Sequence, residues 1–305
     1  MMRTVSLPLS CLLFLCLSGM SLASDADLQS ALNQQWKGKV LFLRHPAQSN
    51  SVKFDSGRNV TQQGPEEPWT VYGGFVVESV HVRPESVRLE GHRIFVQKDS
   101  ASGKLVTYPF KRVNGLERLT QNESIQLEIH VDQPPQSTDD VRKLLSRVVC
   151  LNKADFLDSV PEYWRSYLAD FMEYEPELHP IEFNLEKMER NVSASGQFGS
   201  TKVPDIGEKV VRCCSSVIKP PKPVSTPEPK FSQAARYSQF TGSGTVALIV
   251  DSKGEVRKPI IIKALGLGLD ENEVNTVATW RFDPATREGR PLAVQMQIEV
   301  AFNLH

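Results

Sequence analysis

Six histidines, His45, His81, His92, His130, His179 and His305, are the first residues to test for metal or acid–base chemistry. Their spacing matches no zinc-ligand pattern and no His-Glu-x-x-His run occurs, so no metal site is expected. Ser216 and Lys219 stand at the Ser-x-x-Lys spacing of an acyl-transfer nucleophile and its base. The Lys-Thr-Gly element that completes such a site is missing, and chance spacing is the better account. Gly242, Ser243, Gly244 and Thr245 form a glycine-rich run without the Gly-Lys-Ser/Thr ending of a phosphate loop. Gly266 and Gly268 lack the third glycine of a dinucleotide fingerprint. Neither a cofactor nor an enzymatic activity is expected. Asn59, Asn122 and Asn191 each open an Asn-x-Ser/Thr sequon.

Cysteine is the other reactive type. Cys11 and Cys16 fall in an apolar N-terminal segment, leaving Cys150, Cys213 and Cys214. An exported chain permits disulfides. Adjacent cysteines pair with each other only under strain. One expectation is therefore a bridge from Cys150 to Cys213 or Cys214; the other is that all three remain thiols.

What survives is recognition through backbone. Across residues 294–303, Val294, Met296, Ile298, Val300 and Phe302 alternate with Gln295, Gln297, Glu299, Ala301 and Asn303. Unbroken period-two alternation marks a strand with one face on a core and the other in water. Near the chain end it is expected to be an edge strand whose unpaired N–H and C=O groups can accept another strand. Gln295, Gln297, Glu299, Ala301 and Asn303 are the candidate partner-binding residues. The competing expectation is a strand fully paired within the fold or across a homodimer.

The elements that must position this strand can be read just upstream. Residues 245–250 alternate, Asp251 to Gly254 spell a turn, and 255–263 read as the return strand. Pro259 removes a ladder donor there, so an edge or a bulge is expected. A helix follows, with Asp270 as expected N-cap, Glu273 completing a capping box and Leu269 and Val274 as a staple. Val274, Val277 and Ala278 supply its apolar stripe.

The 305 residues are 40% hydrophobic and 23% charged, an ordinary globular composition. A formal net charge of −1 gives no electrostatic case for nucleic acid. Arg3, an apolar run over 5–17 and the small-x-small site Ser21, Leu22, Ala23 read as an export signal cleaved after Ala23. That implies a periplasmic protein. The alternative is an uncleaved inner-membrane anchor, since residues 5–23 come close to the ~20 a spanning helix needs. Contact with the membrane is expected only if this segment is retained.

The fold class expected is α+β. Residues 25–135 hold many runs of β formers, including 39–44, 69–72, 75–82, 105–111 and 124–131, after a helical lead at 28–35. A hairpin over 87–96 is expected to turn at Gly91. These runs suggest a β-rich roll or barrel. Two helices, 139–149 and 162–173, occupy a segment (136–180) expected to pack on it. Residues 181–230 read as a linker, proline-rich at 219–230, where a polyproline spacer at ~3.1 Å per residue would reach ~35–40 Å. A small β-β-α-β domain, 231–305, ends the chain.

That last domain resembles the C-terminal domain of the TonB family over about 227–305. The resemblance is carried by Phe231 to Arg236, by Gly244, Thr245 and Val246, and by the Asp251 to Gly254 turn. Gly266, Leu267, Gly268, Leu269 and Asp270 continue it. Ala278, Trp280, Arg281, Phe282, Pro284 and Ala285, then Gly289, Arg290, Pro291 and the final strand, complete it. The family's usual Tyr-Pro at the entry is Phe231-Ser232 here. The resemblance implies a non-enzymatic binding module that captures a segment of an outer-membrane receptor by adding it as a strand. In the family, energy transduction needs a transmembrane anchor bearing a histidine, and residues 1–23 contain none. A soluble exported binding protein is therefore expected; an anchored transducer and a non-transducing envelope adaptor are the alternatives.

Overall fold

The computed structural model describes residues 25–57, 59–62, 66–99, 105–110, 116–119, 123–171, 204–213 and 217–304. The expected export signal with its cleavage site, residues 172–203, Cys214 and Ser216 lie outside these. Among the described residues, no helix is long and apolar enough to cross a membrane.

The chain runs α1 (Asp25–Trp36), β1 (Val40–Leu43), β2 (Ser51–Phe54), β3 (Val60–Gln62), α2 (Trp69–Tyr72), β4 (Gly74–Arg83), β5 (Ser86–Lys98), β6 (Leu105–Pro109) and β7 (Ser124–His130). Then come α3 (Thr138–Leu145), β8 (Val149–Cys150), α4 (Lys153–Ser159) and α5 (Glu162–Phe171). The C-terminal part holds β9 (Val210–Arg212), β10 (Lys222–Ser225), α6 (Gln233–Tyr237), β11 (Gly242–Val250), β12 (Val256–Lys263) and α7 (Leu269–Val277). Strands β13 (Arg281–Asp283), β14 (Ala285–Arg287) and β15 (Arg290–Phe302) finish it.

The N-terminal strands form one eight-stranded sheet in the order β3-β2-β7-β5-β4-β1-β8, with β6 on the far half of β5. Its path ends at β3 and β8, so the barrel closure expected from the sequence is not made among the described residues. The sheet is instead a two-faced layer. Leu41, Leu43, Phe75, Val77, Val87 and Leu89 join α1 and α3 in one core. Val40, Phe42, Ile94 and Val96 join α2, α4 and α5 in the other. Alternation along each strand feeds both, as expected when a sheet is covered on both sides.

Two local readings are corrected. Residues 69–72, read as a strand, are helix α2 and wholly buried. Pro68 opens the helix where its lack of an N–H costs nothing. Gly91, expected at a hairpin turn, lies inside β5, and the turn falls at 84–85. Gly91 permits close approach: a Cβ there would lie 2.3 Å from the Val76 carbonyl oxygen, beside a register shift in β4.

The C-terminal sheet is β12-β11-β15-β14, with β9 added to β15. Pro259 sits at the irregularity expected of it: pairing steps from Ala247↔Ile260 to Ile249↔Arg257, and Lys258 takes φ 47°. This sheet does not hang on a tether. Val246, Leu248, Val250, Ile261, Leu265, Leu267 and Val274 share one continuous core with Trp69, Phe95 and Trp164 of the N-terminal half. The stretch 265–268 clasps β5 and α2. Lys98 donates to the Leu265 carbonyl at 2.8 Å and Leu267 to the Val96 carbonyl at 2.9 Å. Gly268 N–H donates to Thr70 Oγ1 at 2.8 Å. Helix α5 lies against β12, where Lys258 Nζ meets Glu162 at 3.4 Å.

The proline-rich stretch is likewise not the spacer expected. Strand β10 pairs antiparallel with β13, and Lys219 exchanges backbone bonds with Thr286 at 2.9 and 3.1 Å. Trp280 Nε1 donates to the Pro227 carbonyl at 2.9 Å, and Asn272 Nδ2 to the Lys230 carbonyl at 2.8 Å. Prolines are tolerated on such an exposed rim because only one side of the strand needs donors.

Candidate functional site

The final strand has two rims. Along one, residues 294–302 pair antiparallel with β11 in unbroken register, from Val294↔Val250 to Phe302↔Gly242. The other rim is divided. Residues 290–292 form a hairpin with β14. Residues 293–295 pair with β9, in parallel, as Ala293↔Val210, Val294↔Val211 and Gln295↔Arg212. Beyond Gln295 no strand covers this rim among the described residues.

Backbone geometry identifies the exposed groups. Cys213 N–H donates to the Gln295 carbonyl at 3.0 Å, so Gln295 directs its polar backbone groups to the β9 side. Orientation repeats every second residue. Gln297, Glu299 and Ala301 therefore present N–H and C=O to the open part of the rim. Their side chains are exposed, while Val300 and Phe302 between and beside them are buried.

The five sequence candidates consequently separate. Gln297, Glu299 and Ala301 line the open rim together. Glu299 also accepts from the Ser243 hydroxyl on β11. Gln295 is buried, its backbone rim is taken by β9, and its side-chain Nε2 has no partner. Asn303 is exposed beyond the end of β15. The expectation of a strand edge thus holds for the second half of β15 only. Sequence reasoning missed β9. Its signal is two adjacent β-branched residues, Val210 and Val211, too short a run to register against polar surroundings.

The cysteine reading is corrected as well. Cys150 is a buried thiol, with Sγ 3.3 Å from Ser159 Oγ and 3.7 Å from the Asp155 carbonyl oxygen. Burial pushes its pKa up to about 11. Cys213 is disulfide-bonded. The bridge therefore does not involve Cys150, whose side chain is enclosed between β8 and α4.

Helix α7 holds the site's charged neighbourhood. Asp270 was expected to cap it; Gly268, at φ 73°, takes the cap position. Asp270 instead accepts from Leu265 and Gly266 N–H at 2.8 and 2.6 Å, holding the clasp loop in shape. Glu273 makes no capping box. It is buried against Gly244, with Oε1 unpartnered. Burial, then the charge of Asp270, raises its pKa to about 9. Glu271 accepts from Trp164 Nε1 at 3.1 Å across the seam, and burial and Asp270 raise it too.

A cleft of about 340 Å³ opens at the same seam, between Glu66, Glu67, Trp69, Tyr163, Glu271 and Asn272. No cluster of His, Cys, Asp and Glu suited to a metal ion occurs among the described residues.

Residues 227–304 match the family model described as Gram-negative bacterial TonB protein C-terminal. This segment is a TonB-family C-terminal domain, and it makes up about a quarter of the chain. The solution NMR structure of Pseudomonas aeruginosa TonB CTD is 20% identical, covering 32% of this chain and 96% of that one at a TM-score of 0.25. No curated protein matches the chain.

Proposed function

We propose that this chain is an exported envelope protein whose C-terminal domain recognises a protein partner, such as a segment of an outer-membrane receptor, by strand addition to the rim of β15. The observation that carries this reading is the run of outward backbone groups at Gln297, Glu299 and Ala301 on a strand firmly paired on its other side. An extended partner gains main-chain hydrogen bonds there, and alternate side chains supply selectivity. The family match supports a receptor as the partner class. Docking of the domain onto the N-terminal half supports a binding protein held at a fixed orientation, not a module carried on a long tether.

The test is a proline at Gln297, which removes an outward N–H without touching the β11 ladder. Capture of an extended receptor segment by the full chain should be lost while thermal unfolding stays within a few degrees of the parent. Capture retained by a folded Gln297→Pro chain would remove strand addition at this rim from consideration.

A further inference from the structure

We propose that Val210–Arg212 is a built-in cap: the chain's own segment occupies the first positions of the β15 rim and competes with any partner strand that adds there. This rests on the reading of that rim as a strand acceptor.

The cap lies directly beside the open part of the rim, on the positions a partner strand reaches as it extends toward Ala293. It runs parallel to β15, and its pairing stops at Gln295, where the open rim begins. Parallel geometry puts the N–H and C=O of Val211 between Ala293 and Gln295, so the segment pairs through backbone as a foreign peptide would. It is also lightly held. Three residues pair in register and Cys213 N–H adds one bond to the Gln295 carbonyl; Arg212 is exposed, and Val211 and Cys213 alone pack on the core. Upstream, Glu208 Oε1 accepts from Ser252 N–H at 3.2 Å. A connected strand gains from a high effective concentration, on the order of millimolar, and so can occupy a site for which its intrinsic affinity is low.

The fit is incomplete at one point, and this gives the partner's chemistry. Gln295 Nε2 is buried without an acceptor. Its register mate on the cap is Arg212, whose guanidinium can only donate. A partner with Asn, Asp, Glu or Thr at that position would satisfy the buried amide, which is costly to leave unpaired. The partner is therefore an extended protein segment, parallel to β15, with β-branched residues like those of the cap and an acceptor side chain opposite Gln295. It pairs first at 297–301 and then displaces the cap toward Ala293.

The experiment uses the full chain and a fluorescent nine-residue peptide with the sequence of residues 205–213, serine replacing Cys213. A second peptide carries asparagine in place of Arg212. Fluorescence anisotropy compares the parent with Val211→Pro, which removes the cap's central donor. The variant should bind the first peptide at least about tenfold more tightly than the parent, as loss of a cis competitor requires, and the asparagine peptide more tightly still. Val211→Ser, which keeps the N–H and loses the packing, is read in the same way if proline unfolds the chain. Equal affinity of parent and variant overturns the cap while leaving strand addition standing. No binding by either, at concentrations to millimolar, overturns both.

Discussion

The carbonyl oxygen of Val96 accepts the Leu267 N–H at 2.9 Å, and a Cβ at Gly266 would lie 2.2 Å from that same oxygen. Gly266 also takes φ +82°. A glycine-rich run that resembles a fragment of a nucleotide motif is thus the clasp between the two halves of the molecule. Glycine serves there because the backbones touch and the conformation is left-handed.

Gly266→Ala follows directly. Alanine in the left-handed region costs roughly 1–2 kcal/mol, and the contact with Val96 adds to it because the obstacle is backbone. The substitution should lower stability by more than that figure in chemical denaturation and raise protease sensitivity at the seam. Unchanged stability would mean that the two halves do not meet through this loop.

Hydrogen exchange separates the two descriptions of the proline-rich stretch. A polyproline spacer has a solvated backbone with no internal hydrogen bonds. Lys219 and Thr286 instead exchange two backbone bonds here. Their amides should show protection well above that of an unstructured peptide, and Thr286 should lose it when residues 217–225 are deleted. Exchange at the unstructured rate in the parent would restore the tether.

The elements differed in how legible they were in sequence. The second half of β15 was readable because it buries alternate side chains, a direct imprint of one-sided burial, whereas β11 was readable as a run of β formers that the fold buries continuously from Val246 to Val250. Strand β10 left no such imprint: all of its residues are exposed, and it is held by backbone alone. Strand β9 was hidden for a similar reason, with only Val211 packed inward. Trp69, Thr70, Val71 and Tyr72 misled because β-branched and aromatic residues favour strands, whereas burial on every side overrides that weak preference. The docking of the domain had no linear signal, since Leu265, Leu267 and Leu269 fill an interface with partners nearly two hundred residues away in sequence, such as Trp69 and Phe95. For the site, the rim at Gln297, Glu299 and Ala301 was legible from alternation, but the covering of Gln295 was not.

The buried acids of α7 should make stability fall with pH between about pH 5 and pH 9. Glu273 has its pKa raised from 4.5 to about 9 by burial and then by Asp270, and Glu271 is raised for the same reasons. Between about pH 4.5 and pH 9 the folded chain therefore holds protons that the unfolded chain has released. Stability from these groups is fully present below the unfolded value and is lost as pH rises through the folded one. The slope from any single group is at most about 1.4 kcal/mol per pH unit. The midpoint of thermal unfolding should accordingly fall as pH is raised from 5 to 9. Glu273→Gln keeps the shape, stays neutral and removes one of the titrating groups, so it should raise the midpoint at pH 8 and flatten the decline. A glutamine variant with the parent's slope would show that Glu273 holds no extra proton in the folded protein across this range.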